Sequence, residues 1–285
     1  MNTLATAKMS EAANATRGFT LVEIAIVVTV IGLLVGGILK GQEMIRSSRA
    51  TATIAQIESY QTAVNTFRDT YGALPGDLPQ ASRRIPGCND NCDPHPVSGG
   101  NQIIGDPTWA SAWISQAGTD VHLPAMSAAD ETILFWAHLT LSNLISGVNN
   151  TVIRNGHERV AWTHTHPITP LGGGFIVGYT NGSPMPGDPR NFISYDDPLG
   201  PRGLAFMIVN TPQSGGDALR KGSQQVMSVK IASSIDTKID DGHPHTGRVR
   251  AYGVPDLCYG GDAGSPRYAA RSGLQDCGLL FEMDE

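Results

Sequence analysis

The sequence predicts an α+β protein in which a long N-terminal helix precedes a globular body built around an antiparallel sheet. An apolar run continues into an amphipathic stripe with no proline before Pro75, which is typical of one long helix. Strand-like segments then follow helical ones without a repeating βα order, which favours an antiparallel sheet. We divide the chain into an N-terminal leader, residues 1–18, a long helix, residues 19–71, and a body, residues 72–285.

Residues 19–39 are mostly Val, Ile and Leu, and Glu23 is the only charged residue among them. About 20 such residues are enough for a helix to cross the hydrocarbon core of a bilayer. A charge deep in that core costs roughly 2.5–3.5 kcal/mol, so an ionisable residue there usually has a partner. The run is therefore predicted to span a membrane, with Glu23 either paired or reaching water at the membrane edge.

The helix is predicted to continue beyond the membrane as far as Tyr71. Apolar residues recur there at the three- and four-residue spacing of an amphipathic helix, namely Ile54, Ile57, Tyr60, Val64, Phe67 and Tyr71. Gly72 is expected to cap the helix, and Pro75 prevents its continuation. The second half of the helix would lay this stripe on the body.

Two more helices and three strands are predicted in the body. One helix is expected over residues 128–147, ending at Gly147, because its apolar residues form one broad face. The other is expected over residues 224–241, ending at Gly242, because Met227, Ile231, Ile235 and Ile239 are spaced by four. Apolar or alternating segments predict strands at residues 171–179, 203–209 and 248–252.

Composition limits the partners and the compartment. The formal net charge is −6, so nucleic-acid binding is not predicted. Four cysteines, Cys88, Cys92, Cys258 and Cys277, all follow the apolar run, and an even number suits disulfides in an oxidising compartment. Three connectivities exist, and the short separations favour Cys88–Cys92 and Cys258–Cys277.

The orientation of the membrane helix follows from these cysteines more than from charge. Lys8 and Arg17 precede the apolar run, whereas Lys40, Arg46 and Arg49 follow it, so flanking charge does not decide the orientation. Disulfides place the body outside the cytoplasm. We therefore expect the N-terminus in the cytoplasm and the body beyond the membrane.

Three carboxylates lie close together between Ile235 and Gly247. Asp236 and Asp240 are one helical turn apart, and Asp241 follows at a helix end, where the dipole disfavours anions by about 0.3–1 kcal/mol. Lys238, backbone N–H groups or a cation would offset the repulsion. Ca²⁺ is the candidate cation because it prefers oxygen ligands. The spacing does not fit an EF-hand, however, and a hydrogen-bonded turn is the reading we favour.

Two histidine pairs and one short cysteine loop have weaker metal patterns. His164 with His166 and His243 with His245 would form a zinc site only if the fold brought the pairs together, and neither pair has a known zinc spacing. We expect exposed loop histidines instead. The Asn- and Asp-containing loop between Cys88 and Cys92 is expected to be a structural turn, not a Ca²⁺ site.

The segment from Gly18 to Glu23, Gly-Phe-Thr-Leu-Val-Glu, leads directly into the apolar run. It resembles the cleavage-and-methylation signature of type IV prepilins and type II secretion pseudopilins, and the resemblance covers residues 17 to about 40. It implies that a membrane-embedded prepilin peptidase cuts between Gly18 and Phe19 and that the new α-amine of Phe19 is methylated. It also implies that Glu23 meets the α-amine of a neighbouring subunit in a helical filament.

The resemblance implies the pilin fold and a structural function. The chain would be a subunit, minor or specialised because of its size, of a type IV pilus-like filament or a secretion pseudopilus. Its partners would be other pilin or pseudopilin subunits, the peptidase and methyltransferase, and the inner membrane, with a periplasmic body and a periplasmic or extracellular filament. The alternative is a membrane-tethered binding module or enzyme that uses the signal for export. No catalytic motif such as G-x-S-x-G or H-E-x-x-H is present, so no enzyme is predicted.

Overall fold

The computed structural model describes residues 19–94, 99–105, 131–149, 161–181, 202–210, 225–253, 256–261, 266–269 and 277–283. The chain divides into two compact units, residues 1–45 and residues 46–285. The long helix α1, Leu21–Tyr71, contributes residues to both units. A long apolar helix followed by a body with an antiparallel sheet confirms the predicted α+β class.

Helix α1 ends at the predicted Tyr71 and begins at Leu21, two residues after the predicted start, and burial begins only in its second half. Residues 19–49 are exposed, including every large apolar side chain among them. Four residues of the predicted stripe, Ile57, Tyr60, Val64 and Phe67, are buried, and Ile54 and Tyr71 are half-buried. The other buried residues of the helix are Ala50, Thr53 and Ala63. Gly72 has a φ of 69°, and its N–H donates to Arg68 O at 2.8 Å, so the helix ends at the predicted glycine cap.

The described residues of the body include six strands in two sheets. Their bounds are β1 Gly174–Asn181, β2 Arg202–Val209, β3 Val249–Gly253, β4 Tyr259–Gly260, β5 Arg267–Tyr268 and β6 Cys277–Glu282. The larger sheet has the order β1-β2-β6-β3 and is antiparallel throughout, and β4 pairs with β5. The three predicted strands correspond to β1, β2 and β3. Strand β6 was not predicted, because five of its six residues are buried and it lacks the alternation of a half-exposed strand.

The other helices in the described part of the chain are α2 Ala81–Arg84, α3 Glu131–Leu141 and α4 Val229–Ile239, with a 3₁₀ turn at Asp90–Cys92. Helix α3 ends six residues before the predicted Gly147. Asn143 adopts a left-handed conformation, with its N–H donating to Thr140 O, and the N–H of Leu144 donates to Leu139 O. This is a Schellman cap, which asparagine can form in place of glycine. The predicted first three residues of the helix, 128–130, lie outside the described residues.

Helix α4 begins five residues after the predicted start at Gln224, which lies outside the described residues. Met227 continues the four-residue spacing, but it exchanges backbone hydrogen bonds with Cys277 at the start of β6. Ser228 follows in an extended conformation and accepts the first helical hydrogen bonds through its carbonyl oxygen. Periodicity alone was wrong here because pairing with the sheet took precedence over helix formation.

An aromatic cluster joins α1 to α3 and to the sheet. The Tyr60 ring lies 5.2 Å from Trp136 on α3, 5.4 Å from Phe175 on β1 and 6.1 Å from Phe206 on β2, measured between ring centroids. All three contacts are edge-to-face, the geometry that aromatic quadrupoles favour. Gln56 donates to the Tyr60 hydroxyl at 2.8 Å, so the phenol has a polar partner although the ring is buried. This cluster is the centre of the core.

On the opposite face of the sheet, Tyr252 of β3 lies across Gly278 of β6. A side chain at Gly278 would overlap the Tyr252 ring. The absence of that side chain lets the Tyr252 hydroxyl donate to Ile208 O on β2. Burial raises the pKa of Tyr252 well above its usual range, so the hydroxyl keeps the proton that it donates.

His138 connects α3 to two loops. Its Nδ1 accepts a hydrogen bond from the Gly76 N–H at 2.9 Å, and its Nε2 lies 2.9 Å from Cys92 O. Because a carbonyl only accepts, Nε2 carries the hydrogen and the ring is neutral. Burial lowers the pKa of His138 to about 4, against the opposing effects of the Cys92 carbonyl and the Asp93 charge.

The turn after α1 is held against α3 and by a buried carboxylate. Gly76 lies so close to α3 that a Cβ would overlap backbone atoms of Glu131 and Phe135. The fully buried Asp77 carboxylate accepts hydrogen bonds from the N–H groups of Gly100, Asn101 and Gln102. Burial raises the pKa of Asp77, and the three backbone donors offset only part of this desolvation.

Replacing Gly76 by alanine is expected to destabilise the body more than replacing Gly72. Both glycines have positive φ, 87° and 69°, so both substitutions incur the same kind of backbone strain. A Cβ at Gly72 meets nothing within 4 Å, whereas one at Gly76 meets the backbone of α3. We expect Gly76→Ala to lower the free energy of unfolding by about 1–3 kcal/mol more than Gly72→Ala, measured by denaturant unfolding of the full chain in detergent. Equal losses would contradict the close approach.

Acid is expected to destabilise the body through His138. The pKa of His138 is lower in the folded state than in the unfolded state, so the folded state binds fewer protons. The contribution of the neutral His138 to stability is therefore fully present above about pH 6.5 and declines as the pH falls towards 4. At about 1.4 kcal/mol per pKa unit, the loss for His138 amounts to about 3 kcal/mol by pH 4. Melting temperatures between pH 7 and pH 4 should show a shallower decline for His138→Gln. The matched variant at the exposed His164, His164→Gln, should keep the wild-type slope.

Candidate functional site

The first turn of α1 positions the residues of the predicted processing and assembly site. Thr20 precedes the helix and Glu23 lies in its first turn. The Glu23 N–H donates to Thr20 Oγ1 at 3.2 Å, and the Thr20 N–H donates to Glu23 Oε2 at 3.0 Å. These reciprocal bonds form a capping box. Phe19 precedes the box and is exposed, and Gly18 lies outside the described residues.

The capping box gives Glu23 a partner within its own chain. The Thr20 hydroxyl also donates to Glu23 Oε2 at 3.0 Å, and the positive end of the helix dipole favours a carboxylate at this position. Thr20 was not among the predicted site residues. The pattern Thr-x-x-Glu immediately before an apolar run is the signal that identifies it.

The apolar segment that follows is suited to a membrane. Within α1, an 18-residue window has a mean hydropathy of 2.6, and none of it is buried within the structure. Among the described residues this is the one helix long and apolar enough to cross a bilayer by length and composition. Exposed apolar side chains in such number need a lipid or protein environment to cover them.

Both disulfides have the local connectivity that the sequence favours. Cys88 is bonded to Cys92, and Cys258 is bonded to Cys277. The first closes the loop whose carbonyl binds His138, and Asn89 caps the 3₁₀ turn inside that loop by accepting from the Asn91 N–H. The second joins the β4–β5 hairpin to the first residue of β6.

The structure brings the three predicted carboxylates Asp236, Asp240 and Asp241 together. One oxygen from each lies within 4.8 Å of the others, and no other described group of three or more His, Cys, Asp or Glu residues is this close. Asp236 is buried at the end of α4, Asp240 is half-buried and Asp241 is exposed. These are the carboxylates for which the sequence pattern indicated Ca²⁺ as the candidate cation.

Hydrogen bonds within the turn already bind these carboxylates. Asp236 accepts from the Gly242 N–H at 3.2 Å and from the Tyr268 hydroxyl at 2.8 Å. Asp240 accepts from the N–H groups of Arg248 and Val249. Asp241 accepts from the His243 N–H and from the Thr246 hydroxyl. At least five of the six carboxylate oxygens therefore accept a hydrogen bond. Of the three groups predicted as alternatives to offset the charge, the backbone N–H groups contact the carboxylates, whereas Lys238 donates to Thr51 Oγ1 at 3.4 Å.

The acidic turn has opposite effects on two of its carboxyl groups. Burial raises the pKa of Asp236 to about 6, despite the Tyr268 and Gly242 hydrogen bonds, and the charges of Asp241 and Asp240 raise it further. Burial also opposes ionisation of Asp241, but hydrogen bonds from Thr246 and the His243 N–H outweigh it and lower its pKa. The hydrogen bonds thus stabilise the exposed charge, while the buried Asp236 holds a proton up to mildly acidic pH.

The histidine pairs do not form a metal site among the described residues. His164 is exposed, but His166 is buried, and burial lowers its pKa to about 3. The expectation of exposed loop histidines is therefore wrong for His166, which packs between Trp136 and Trp162. His243 is exposed beside Asp241, and the His245 ring lies 4.3 Å from Tyr259.

Comparison with known proteins adds one finding, which concerns the N-terminus. Residues 13–39 match the family model described as the prokaryotic N-terminal methylation motif. The chain therefore carries the prepilin-type signature that Gly18, Phe19 and Glu23 indicated. This motif supports a precursor of the type IV pilin or pseudopilin type. No curated protein and no solved structure matches the chain.

The acidic turn is expected to be held by its hydrogen bonds rather than by Ca²⁺. The folded pKa of Asp236 lies above the unfolded one, so the folded state binds the extra proton and stability falls as the pH rises from about 4 to about 6. With a chelator present to remove Ca²⁺, Asp236→Asn should have a higher melting temperature than wild type above pH 6. The amide carries no charge, and it can still form hydrogen bonds with the Gly242 N–H and the Tyr268 hydroxyl. The matched variant at the exposed Asp69, Asp69→Asn, should change little.

Calcium tests the same turn from the other side. Millimolar Ca²⁺ should leave the melting temperature of the full chain unchanged if hydrogen bonds alone hold the turn. A bound ion would raise the melting temperature of wild type but not of Asp236→Asn, and that result would contradict the hydrogen-bonded reading.

Proposed function

We propose that this protein is a structural subunit, minor or specialised, of a type IV pilus-like filament or a secretion pseudopilus. The observation that carries the proposal is the methylation motif at residues 13–39, together with the exposed apolar segment of α1, residues 19–39, whose one carboxylate is Glu23. A motif that directs processing and a helix that needs covering by lipid or by other helices are together the requirements of a filament subunit.

Maturation begins with removal of residues 1–18. Cleavage after Gly18 leaves Phe19 with a free α-amine, which is then methylated and remains positively charged. Phe19 is 81% exposed in the structure and immediately precedes the capping box. Before cleavage the subunit spans the inner membrane once, with the leader in the cytoplasm and the body in the periplasm.

Assembly then replaces the local partner of Glu23 with a charged one. The Thr20 hydroxyl and N–H hold the carboxylate in the free subunit. In a filament, the methylated α-amine of a neighbouring Phe19 supplies a full positive charge. An ion pair in a low-dielectric environment is stronger than a hydrogen bond to a neutral donor, so the exchange favours assembly and fixes the axial register.

The body has a structural and not a catalytic role in this proposal. Its buried histidines and carboxylates serve as hydrogen-bond partners of loops and turns, as His138 and Asp77 do. The alternative, a membrane-tethered binding module or enzyme, shares the N-terminal processing but not the need for Glu23. Substitution of that residue therefore distinguishes the two.

Glu23→Ala is expected to preserve processing and abolish filament incorporation. The cleavage junction at Gly18 and Phe19 is unchanged, so mass spectrometry of protein from its own host should still find a chain that begins at methylated Phe19. Electron microscopy with an antibody to the body should find wild type in filaments and the variant only in membranes. Glu43→Ala, which removes another exposed glutamate of α1, serves as the control and should assemble.

Normal filaments from Glu23→Ala would contradict the role of Glu23. Wild-type protein found only as a membrane monomer, in cells that assemble filaments, would favour the tethered alternative. A purified chain that still begins at Met1 would overturn the proposal altogether.

A further inference from the structure

The part of α1 that follows the apolar segment carries an excess of exposed positive charge, because Lys40, Arg46 and Arg49 outnumber the one carboxylate among them, Glu43. Lys40 is paired with Glu43, with 2.9 Å between Nζ and Oε2. From that glutamate to Glu58 the only charged residues are Arg46 and Arg49, and both are exposed. Three residues apart, they project from the same side of the helix.

A third cation, from the body, contacts α1 on a different side from the two arginines, because residues two apart on a helix do not face each other. Lys238, in the last turn of α4, is exposed, and its Nζ lies 3.4 Å from Thr51 Oγ1, two residues beyond Arg49. The carboxylates after it, Asp240 and Asp241, accept hydrogen bonds from donors of their own turn. The neutral hydroxyl of Thr51 leaves the Lys238 charge available to an anion. We call Arg46, Arg49 and Lys238 the basic collar.

The position of the arginines in α1 identifies the anion. Arg46 and Arg49 follow Leu39, the end of the predicted membrane span, by seven and ten residues, or about two and three helical turns. Side chains of an α-helix lean towards its N-terminus, so both arginines lean back towards the apolar segment. Long cationic side chains beside a membrane span place their charges among the lipid headgroups.

We propose that the basic collar binds the phosphate groups of anionic phospholipids in the leaflet from which the body emerges. The guanidinium of an arginine binds two phosphate oxygens at once, and Lys238 adds a point charge. The proposal rests on the proposed membrane span but not on filament assembly. It gives the unassembled subunit a second membrane contact, which it must release on leaving the bilayer.

Lipid retention by the full-length chain tests the collar. The protein is reconstituted in nanodiscs of phosphatidylcholine and phosphatidylglycerol in equal parts, extracted gently, and analysed by native mass spectrometry. Wild type should retain phosphatidylglycerol in preference to phosphatidylcholine, and Arg46→Gln with Arg49→Gln should reduce the preference at least about fivefold. High salt should reduce it in wild type as well.

The matched control removes two exposed cations elsewhere on the body, through Arg83→Gln with Lys230→Gln, and should keep the wild-type preference. The proposal is overturned if wild type shows no preference, if the Arg46 and Arg49 double variant keeps it, or if the control loses it equally. A double variant that keeps the lipid preference yet fails to assemble would assign the arginines to contacts between subunits. Failure of wild type to incorporate into nanodiscs would overturn the membrane span itself.

Discussion

Burial of one side of α1 against the aromatic cluster is the interaction on which the body depends. Tyr60 of α1 contacts one aromatic ring on each of α3, β1 and β2, so a single side chain links α1 to α3 and to the sheet. Such pairs contribute about 0.5–1.5 kcal/mol each beyond the area they bury. Burial raises the pKa of Tyr60 to about 12, which keeps the phenol neutral at the centre of the core, where Gln56 is its partner. The same amide donates to Ile168 O, so it also ties the loop before β1 to the helix.

Several polar groups around this core are matched to backbone donors and acceptors. Three buried side chains, His138, Asp77 and Asp236, each hold a loop or turn that lacks a regular hydrogen-bonding pattern, whereas Trp136 Nε1 is buried without a partner among the described residues. The hydrogen bonds of these three side chains fix the positions of glycine- and proline-rich loops. Breaking one would leave a buried polar group without a partner, which costs more free energy than a hydrogen bond gains. The same arrangement makes the body sensitive to pH in opposite directions at the histidine and at Asp236.

At the other end of α1, a local device and a proposed intersubunit contact use the same carboxylate. The capping box satisfies Glu23 in the isolated chain, so the charge does not need a neighbour to be tolerated at the start of the apolar helix. Under the proposed function, the α-amine of Phe19 must therefore compete with Thr20. Exchange between two partners of graded strength suits a subunit that has to remain in the membrane before it joins a filament.

The sequence alone determined the long helix and its amphipathic half, because the apolar residues of that half recur with the helical period and no proline interrupts the helix. It also determined the prepilin-type signature, since that is a property of a short continuous segment that the methylation motif matches. Three of the strands, and the local pairing of the cysteines, followed from composition and from short separations along the chain.

Only the tertiary structure decided the features that depend on distant residues. Strand β6 is central and buried on both faces, so its sequence has no alternation, and Met227 joined it because pairing with Cys277 outweighed a helical spacing. Helix α3 is capped by Asn143, not by the predicted glycine, and His166 is buried against Trp136, which is distant in sequence, and against the nearby Trp162. Periodicity reports the face that a segment buries, whereas partners contributed by other segments determine where that segment starts, stops and pairs.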